Sequence, residues 1–374
     1  MDTDIIILGA GMAGASAAYF LAPHAGVVLV ERETAPGYHS SGRSAAQFTV
    51  GITQPTMRRL AQASRAFFEA PPEGFAPEPL LTPRGSLTVG RADQTARLQA
   101  NHDRLTSVGA TARHVGRDEA LALFPALRPE RVAAGVFEPD AMDIDVDMLL
   151  QGYLRGARNR GARIVTGAGT SAIERQAGRW LVRTADAEYA APLLLNAAGA
   201  WADEVATLAG VVPVGIVPHR RTAFTFAGPA EASGWPHVNT VDHHWYVKPE
   251  TGRLMGSLAD ATPTVPCDAW PEDIDVAQAI ENIGQDTQFE IARPLSTWAG
   301  LRSFAADREP VPGTRADAPG FYWLAGQGGC GILTSPALGR ATAALMLGRD
   351  LPDEQRAIGL TAGDLAPDRP ALRR

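Results

Sequence analysis

The sequence predicts an α/β fold, α+β overall, in which a parallel-sheet unit alternates along the chain with a mixed or antiparallel β-rich unit. Three observations predict it. The apolar run Ile5-Ile6-Ile7-Leu8 leads into Gly9-Ala10-Gly11-Met12-Ala13-Gly14 and then a second apolar run, Val27-Val28-Leu29-Val30, closed by Glu31. Late in the chain, Phe321-Tyr322-Trp323-Leu324-Ala325 feeds a second glycine loop, Gly326-Gln327-Gly328-Gly329-Cys330-Gly331-Ile332, ahead of an alanine-rich helical stretch. Between them, residues 213–304 carry strand patterns interrupted by prolines, which suit a sheet of a different kind.

The opening strand 4–8, helix 12–22 and strand 27–31 form a βαβ start to a parallel sheet. Gly9 permits a tight strand-to-helix turn, Gly11 lets backbone approach a pyrophosphate, and Gly14 lets the helix pack closely on the strand. This is a Rossmann-like site for the ADP half of a dinucleotide, with phosphate on the free N–H groups and positive dipole end of the helix. Glu31, at the end of the second strand, is placed to accept hydrogen bonds from ribose hydroxyls. The block 37–46 holds too much glycine and serine for a helix. Met57, Leu60, Ala63, Phe67 and Phe68 recur at helical spacing and predict a helix over about 55–70. Pro71, Pro72, Pro77 and Pro79 mark irregular chain, residues 85–90 alternate as a strand, and 91–123 read as mostly helical.

A strand-rich piece near 131–138 precedes an amphipathic helix over 148–160, which Asp145 or Asp147 is placed to cap. Four short strands, 163–166, 170–173, 179–182 and 193–196, return to the dinucleotide unit and end in Ala197-Ala198-Gly199-Ala200-Trp201. Strands over 220–226, 245–248 and 253–258 belong to the second unit. A helix over about 335–347 follows the late glycine loop, again a cradle of bare N–H groups. The proline-rich tail beyond Pro352 is expected to be loosely held. The alternation divides the chain into a dinucleotide-binding domain over 1–80, 143–211 and 305–374 and a substrate-binding domain over 81–142 and 212–304.

Composition narrows the function classes. Of 374 residues, 45% are hydrophobic and 20% charged, so a folded globular chain is expected. A net charge of -7 suits nucleic acid poorly, because that binding rests on neutralising phosphates. The acidic start Met1-Asp2-Thr3-Asp4 lacks a signal peptide's basic end, and no apolar run approaches the roughly 20 residues of a membrane span. A cytoplasmic protein with no transmembrane segment is expected. Cys267 and Cys330 are expected as lone thiols. No Cys or His cluster has metal-ligand spacing. His243-His244 beside Asp242 reads as a surface loop or strand, where adjacent side chains diverge.

Five ordered blocks carry a resemblance over nearly the whole chain: the first glycine motif with Glu31-Arg32, the stretch 37–46, the run 196–201, Trp298-Ala299-Gly300-Leu301-Arg302-Ser303, and the late glycine loop. Together they resemble the D-amino-acid oxidase superfamily of FAD-dependent amine oxidoreductases, and within it the D-arginine dehydrogenase group. The resemblance implies an extended, noncovalent FAD. Its adenine and ribose would meet Glu31, Arg32 and Thr170, and its pyrophosphate Gly11, Ala13 and Gly14. Its isoalloxazine would lie against Ser44, Ala45, Ala46 and Gln47 on one side and Gly328, Gly329, Cys330, Gly331, Ile332 and Leu333 on the other. Gly9, Ser40, Ser41, Gly42, Arg43 and Gly199 would complete the cofactor site.

For an amino acid to present its α C–H to the flavin, its carboxylate needs a fixed anchor, which a planar guanidinium supplies through two parallel charge-assisted hydrogen bonds. By resemblance Arg302 is that anchor, Arg221 a second one, Tyr246 a hydroxyl supporting the same carboxylate, and Gln47 stands near the amine. Ser86 replaces an acidic residue of the arginine-dehydrogenase pattern, Ile52 a tyrosine of the active-site loop, Gln47 a histidine and Leu333 a glutamine. With Ser86, Ile52 and Cys330 in the pocket, a less acidic, more apolar site is expected. It would suit a neutral or hydrophobic D-amino acid, oxidised to the 2-imino acid and then released as 2-oxo acid and ammonia.

The alternative substrate is a secondary amine, a glycine-like amino acid or a 2-hydroxy acid, and the expected electron acceptor is a quinone, another carrier or oxygen. A nicotinamide dehydrogenase would share the opening unit without needing the late glycine loop or the block 37–46. An aromatic flavin monooxygenase would carry a Gly-Asp-Ala-Ala-His-type motif near its C-terminus, which this chain lacks. A purely electron-transferring flavoprotein is disfavoured by Arg302 in an apolar, tryptophan-bearing segment, where an unpaired charge is costly.

Overall fold

The computed structural model describes residues 1–372. A six-stranded sheet runs in the order Val311–Thr314, Phe321–Ala325, Leu193–Asn196, Ile5–Leu8, Val27–Val30 and Arg163–Val165. All neighbours are parallel except the edge strand Val311–Thr314. Its central strand is apolar throughout because both faces are covered. Ile5 and Ile7 enter a core with Met12, Ala15 and Leu338, whereas Ile6 and Leu8 enter another with Trp180, Val182 and Tyr189. Successive side chains leave a strand on opposite faces, so one four-residue run supplies both layers. Full burial contributes roughly 1.5–3 kcal/mol for each such side chain.

Helices Met12–Leu21, Val146–Arg158 and Ser335–Met346 pack on the first face. The second face is covered by a separate antiparallel sheet of Thr170–Gln176, Arg179–Thr184 and Glu188–Ala191. Of the four strands expected over 163–196, Arg163–Val165 and Leu193–Asn196 join the parallel sheet, and the middle two pair in this separate sheet. The middle pair closes through the turn at Ala177 and Gly178, both at positive φ, which turns the chain back on itself.

A larger mixed sheet runs Thr262–Pro263, Val217–Phe226, Arg253–Ser257, Tyr246–Glu250, His237–Thr240, Ser86–Gly90, Ala134–Glu138 and Arg113–Gly116, and Ser296–Phe304 pairs beside Val217–Phe226. Helix Asp273–Asp286 closes its back, burying Val276, Ala279 and Ile283 against Phe224 and Leu254. Strand patterning alone does not predict that helix, and the stretch 91–123 divides into two helices, Thr95–Thr106 and Arg117–Leu123, around the strand Arg113–Gly116. A small sheet of Gln47–Phe48, Met142–Ile144 and Leu81–Pro83 lies beside the large one.

As far as Leu372 the tail is not loose. Helices Asp353–Ala357 and Ala362–Leu365 bury Gln355 and Leu365, Gln355 Nε2 donates to the Ala337 carbonyl at 2.8 Å, and Arg369 binds both oxygens of Asp307 at 2.6 and 2.9 Å. Prolines punctuate this segment without freeing it, because apolar side chains between them still reach the core. Helix Val146–Arg158 is capped by Asp145, whose Oδ1 accepts from Met148 N at 2.8 Å. Among the described residues no helix is long and apolar enough to cross a membrane, and no group of metal-ligating side chains gathers.

Candidate active site

One long cleft of about 360 Å³ runs from the carboxyl ends of the central parallel strands to the front face of the large sheet. At its first end, Gly9 takes φ 100° and a Cβ there would lie 2.6 Å from the Ala197 carbonyl oxygen; at Gly14 it would lie 1.9 Å from the Gly9 oxygen. Both positions therefore require glycine. Gly9, Gly11 and Ala13 line the cleft, but Gly14 does not: it sets the approach of helix to strand.

The structure gives Glu31 more to do than meet a ribose. Its two oxygens accept from Ala10 N at 2.7 Å and Glu33 N at 2.9 Å, which knits the glycine turn to the second strand while the side chain still lines the cleft. The Arg32 guanidinium lies 3.8 Å over the Trp201 ring and its Nε binds Glu33 Oε1 at 2.9 Å. The His39 ring lies 4.6 Å from the Trp201 ring, centroid to centroid. The His39 hydrogen bond holds the Glu33 carboxyl below its ordinary range, with Arg32 adding to it. Thr170 and Gly199 also line this end. Trp201, His39 and Glu33 were not singled out by sequence; the tryptophan ending the run 196–201 was the available signal.

Midway, Ser40, Ser41, Arg43, Ser44 and Ala45 form one wall. Ser41 Oγ accepts from Met12 N at 2.9 Å, so this wall is tied to the helix N-terminus. Arg43 is fully engaged elsewhere: it reaches Asp268 at 2.6 Å and the carbonyls of Ala269 and Ala299 at 2.9 and 3.0 Å, while Tyr38 donates to Asp268 at 3.2 Å. Gly42 and Ala46, expected at the cofactor, do not line the cleft.

At the far end, strands Val217–Phe226 and Ser296–Phe304 pair with Arg221 opposite Gly300 and His219 opposite Arg302. Alternation puts both arginines on the sheet's front face, with Tyr246. Tyr246 hydrogen-bonds Arg221, and Arg221 also donates to the Asp260 carbonyl. Burial first, and then the Arg302 cation, push the Arg221 guanidinium down to about 10. The Arg302 guanidinium, which lines the cleft, lies along the late glycine loop: a Cβ on Gly329 would meet its Cζ at 3.2 Å and its Nε at 3.3 Å. Gly328, Gly329, Gly331 and Ile332 line this end too, with Gly328 at φ 55° and bonded to the Ser303 carbonyl at 2.9 Å.

Several expected pocket residues sit outside the lining. Leu333 and Ile52 are buried in the main core, where apolar side chains pack better than they would along a polar cleft. Cys330 points into that core as well, and burial pushes its thiol up to about 11. Both cysteines are free. Ser86 lies two strands from Tyr246 in the large sheet, directly opposite Glu138. That carboxylate, which sequence did not single out, accepts from Thr49 Oγ1 at 2.9 and 3.0 Å, and burial raises it above its ordinary range. Gln47 pairs with Asp143 in the small sheet, and its buried Nε2 has no protein acceptor.

These features fit FAD. The glycine turn admits backbone to a pyrophosphate, an unpartnered buried amide donor lies beside the wall formed by Ser44 and Ala45, and the cleft is long enough to join a helix N-terminus to a distant sheet face. The comparisons agree. Glycine oxidase from Geobacillus kaustophilus superposes with a TM-score of 0.83 at 21% identity, covering 93% of this chain and 95% of that one. L-alpha-glycerophosphate oxidase from Mycoplasma pneumoniae, with FAD bound, gives 0.84 at 21% identity over 93% and 95%. In sequence, hydrogen cyanide synthase subunit HcnC of Pseudomonas aeruginosa is 25% identical over 90% of each chain. The family model described as FAD dependent oxidoreductase (DAO) matches residues 4–345, and the chain belongs to that family of FAD-dependent oxidoreductase enzymes.

Proposed function

We propose that the protein oxidises a small amine bearing a carboxylate, with a D-amino acid of neutral or hydrophobic side chain as substrate. The observation that carries this reading is the pair of guanidiniums on one sheet face, both lining the cleft, with Arg221 lowered first by burial and then by the Arg302 cation. The Asp260 carboxylate, 3.8 Å from Arg221 Nε, offsets one of the two cations, while Arg302 forms no ion pair among the described residues, so an anionic guest held there lowers their mutual repulsion as it binds. Tyr246 adds a hydroxyl to the same anion. The Gly329 backbone, lying against Arg302, fixes the guanidinium plane and so the angle at which a carboxylate is held.

When bound, FAD supplies the two-electron acceptor for the hydride leaving the substrate Cα. The residues at this end act by orientation and charge. Among the described residues lining it, none is a carboxylate or histidine suited to remove a proton. The amine therefore enters neutral, and Arg302, Arg221 and Tyr246 hold the carboxylate while the C–H is aligned.

A second reading has support of its own. The relatives include a glycine oxidase and a sarcosine oxidase subunit beta by name, at 22% and 24% identity, and the same arginine pair would hold an N-substituted glycine. An anaerobic screen separates the readings: purified holoprotein is mixed with D-amino acids, L-amino acids, N-methylated glycines and 2-hydroxy acids while the oxidised flavin band is followed. Bleaching by D-amino acids supports the first reading, and bleaching by N-methylated glycines alone selects the second. Bleaching by 2-hydroxy acids with no response to any amine overturns both.

A further inference from the structure

The stretch 44–47 joins the cleft wall to the small sheet, and one of its peptide planes is held by a buried lysine. Ser44 and Ala45 line the cleft, whereas Ala46 sits at φ 52°, a conformation that L-residues other than Asn, Asp and Gly avoid. Rotation about that φ turns the Ala45–Ala46 peptide plane, and both of its polar atoms are engaged. Ala46 N donates to Ser44 Oγ at 3.0 Å, and the Ala45 carbonyl accepts from Lys248 Nζ at 2.9 Å.

Lys248 is 4% exposed and belongs to strand Tyr246–Glu250, two residues beyond Tyr246 and on the same sheet face. Its ammonium also binds Asp143 Oδ1 at 3.1 Å, with Glu250 Oε2 at 3.5 Å, and Asp143 in turn binds Arg84 Nε at 2.7 Å. A buried ammonium needs every donor satisfied. Here the Ala45 carbonyl is one of the acceptors, so the charge cluster and the strained turn hold each other in place. Lys248 is not among the residues that line the cleft.

We propose that Lys248 is a positioning residue for the flavin: it fixes the Ala45–Ala46 peptide plane, and through it the wall formed by Ser44 and Ala45, against which the isoalloxazine is read to lie. The inference rests on that reading of where the ring system sits. It assigns Lys248 no contact with substrate. Removing the ammonium frees the peptide plane, and Ala46 relaxes toward ordinary φ, which displaces the wall.

The test uses the full chain as wild type, Lys248→Met, Ala46→Gly and the double variant. FAD is titrated into apoprotein by flavin fluorescence, and the flavin midpoint potential of each holoprotein is measured against reference dyes. Lys248→Met is expected to weaken FAD at least tenfold and to move the potential to more negative values, because a positive charge and the wall's position are lost together. Ala46→Gly alone is expected to bind within threefold of wild type. In the double variant glycine accepts φ 52° without strain and restores most of the affinity. Should Lys248→Met not fold, Lys248→Gln gives the same readouts with the same expected directions. Unchanged affinity and potential in whichever variant folds overturn the role of Lys248, and an unrescued double variant overturns its action through the peptide plane. A wild-type chain that takes up no FAD would overturn the flavin reading itself, a result distinct from either.

Discussion

Removing the guanidinium at 302 separates substrate recognition from folding. Arg302 forms no ion pair among the described residues and stands beside another cation, so Arg302→Met leaves no buried counter-charge behind and relieves a repulsion at Arg221. Stability should be unchanged or slightly higher. Binding is a different matter. A guanidinium holding a carboxylate through two hydrogen bonds at about 1.5–3 kcal/mol each contributes roughly 3–6 kcal/mol in all. At about 1.4 kcal/mol per decade this is a loss of roughly 10²–10⁴ in kcat/KM. Arg302→Lys keeps the charge and loses the fork, so it should fall between. The assay is anaerobic stopped-flow reduction of the flavin by substrate, with FAD content and thermal unfolding measured on the same preparation. Wild-type kcat/KM in Arg302→Met, or a loss that merely follows lost FAD, would refute the reasoning.

Further outcomes follow from the same geometry. Because Arg221 sits at about 10 in the free protein and must be charged to hold a carboxylate, kcat/KM should fall as pH rises through about 10; that limb should move upward in Arg302→Met, where the neighbouring cation is gone. On the acid side, kcat/KM should rise with pH through the substrate's own ammonium ionisation, since the amine must enter neutral; an acid limb that stays the same among substrates whose ammonium ionisations differ would point to a protein base instead. Burial raises Glu138, so between its unfolded and folded ionisations the folded chain holds the extra proton and stability falls as pH rises. Glu138→Gln should therefore gain stability relative to wild type as pH is raised above about 4.3, read as a pH-dependent difference in Tm, and a constant difference would contradict this. Gly14→Ala puts a Cβ 1.9 Å from the Gly9 oxygen and should cost about 1–3 kcal/mol or more with loss of bound FAD, checked by denaturant unfolding and flavin absorbance.

What could be read from sequence was local. The turn from Gly9 to Gly14 is legible because strand, glycines and helix lie within one short stretch and obey backbone geometry alone. Strand Phe321–Ala325 and the helix from Ser335 were legible for the same reason. Sheet order was not, since Ile5–Leu8 pairs with Leu193–Asn196 across half of the chain and no local pattern records that partner. Helix Asp273–Asp286 carries buried positions at 276, 279 and 283, a helical spacing hidden among flanking prolines and acidic residues. At the site, Arg221, Tyr246 and Arg302 were marked by resemblance, and the structure brings them onto one face. Lys248 and Asp143 could not be marked, because an ordinary lysine and aspartate become a buried pair only when strands 105 residues apart are laid together. Leu333 and Cys330 show the converse: adjacency in a glycine loop does not decide which side chains turn into the core.

The interleaved strands carry a consequence for how the protein is made. A nascent chain leaving the ribosome presents Ile5–Leu8 and its glycine turn first, yet one neighbouring strand is Leu193–Asn196, and the sheet is extended beyond that only when Phe321–Ala325 emerges. Such distant pairings slow folding and leave apolar edges waiting. Truncation therefore reaches back to the first motif: a message cut short before Phe321 would yield a polypeptide whose opening strand has its own neighbours but whose sheet stops at Leu193–Asn196, with that edge left open.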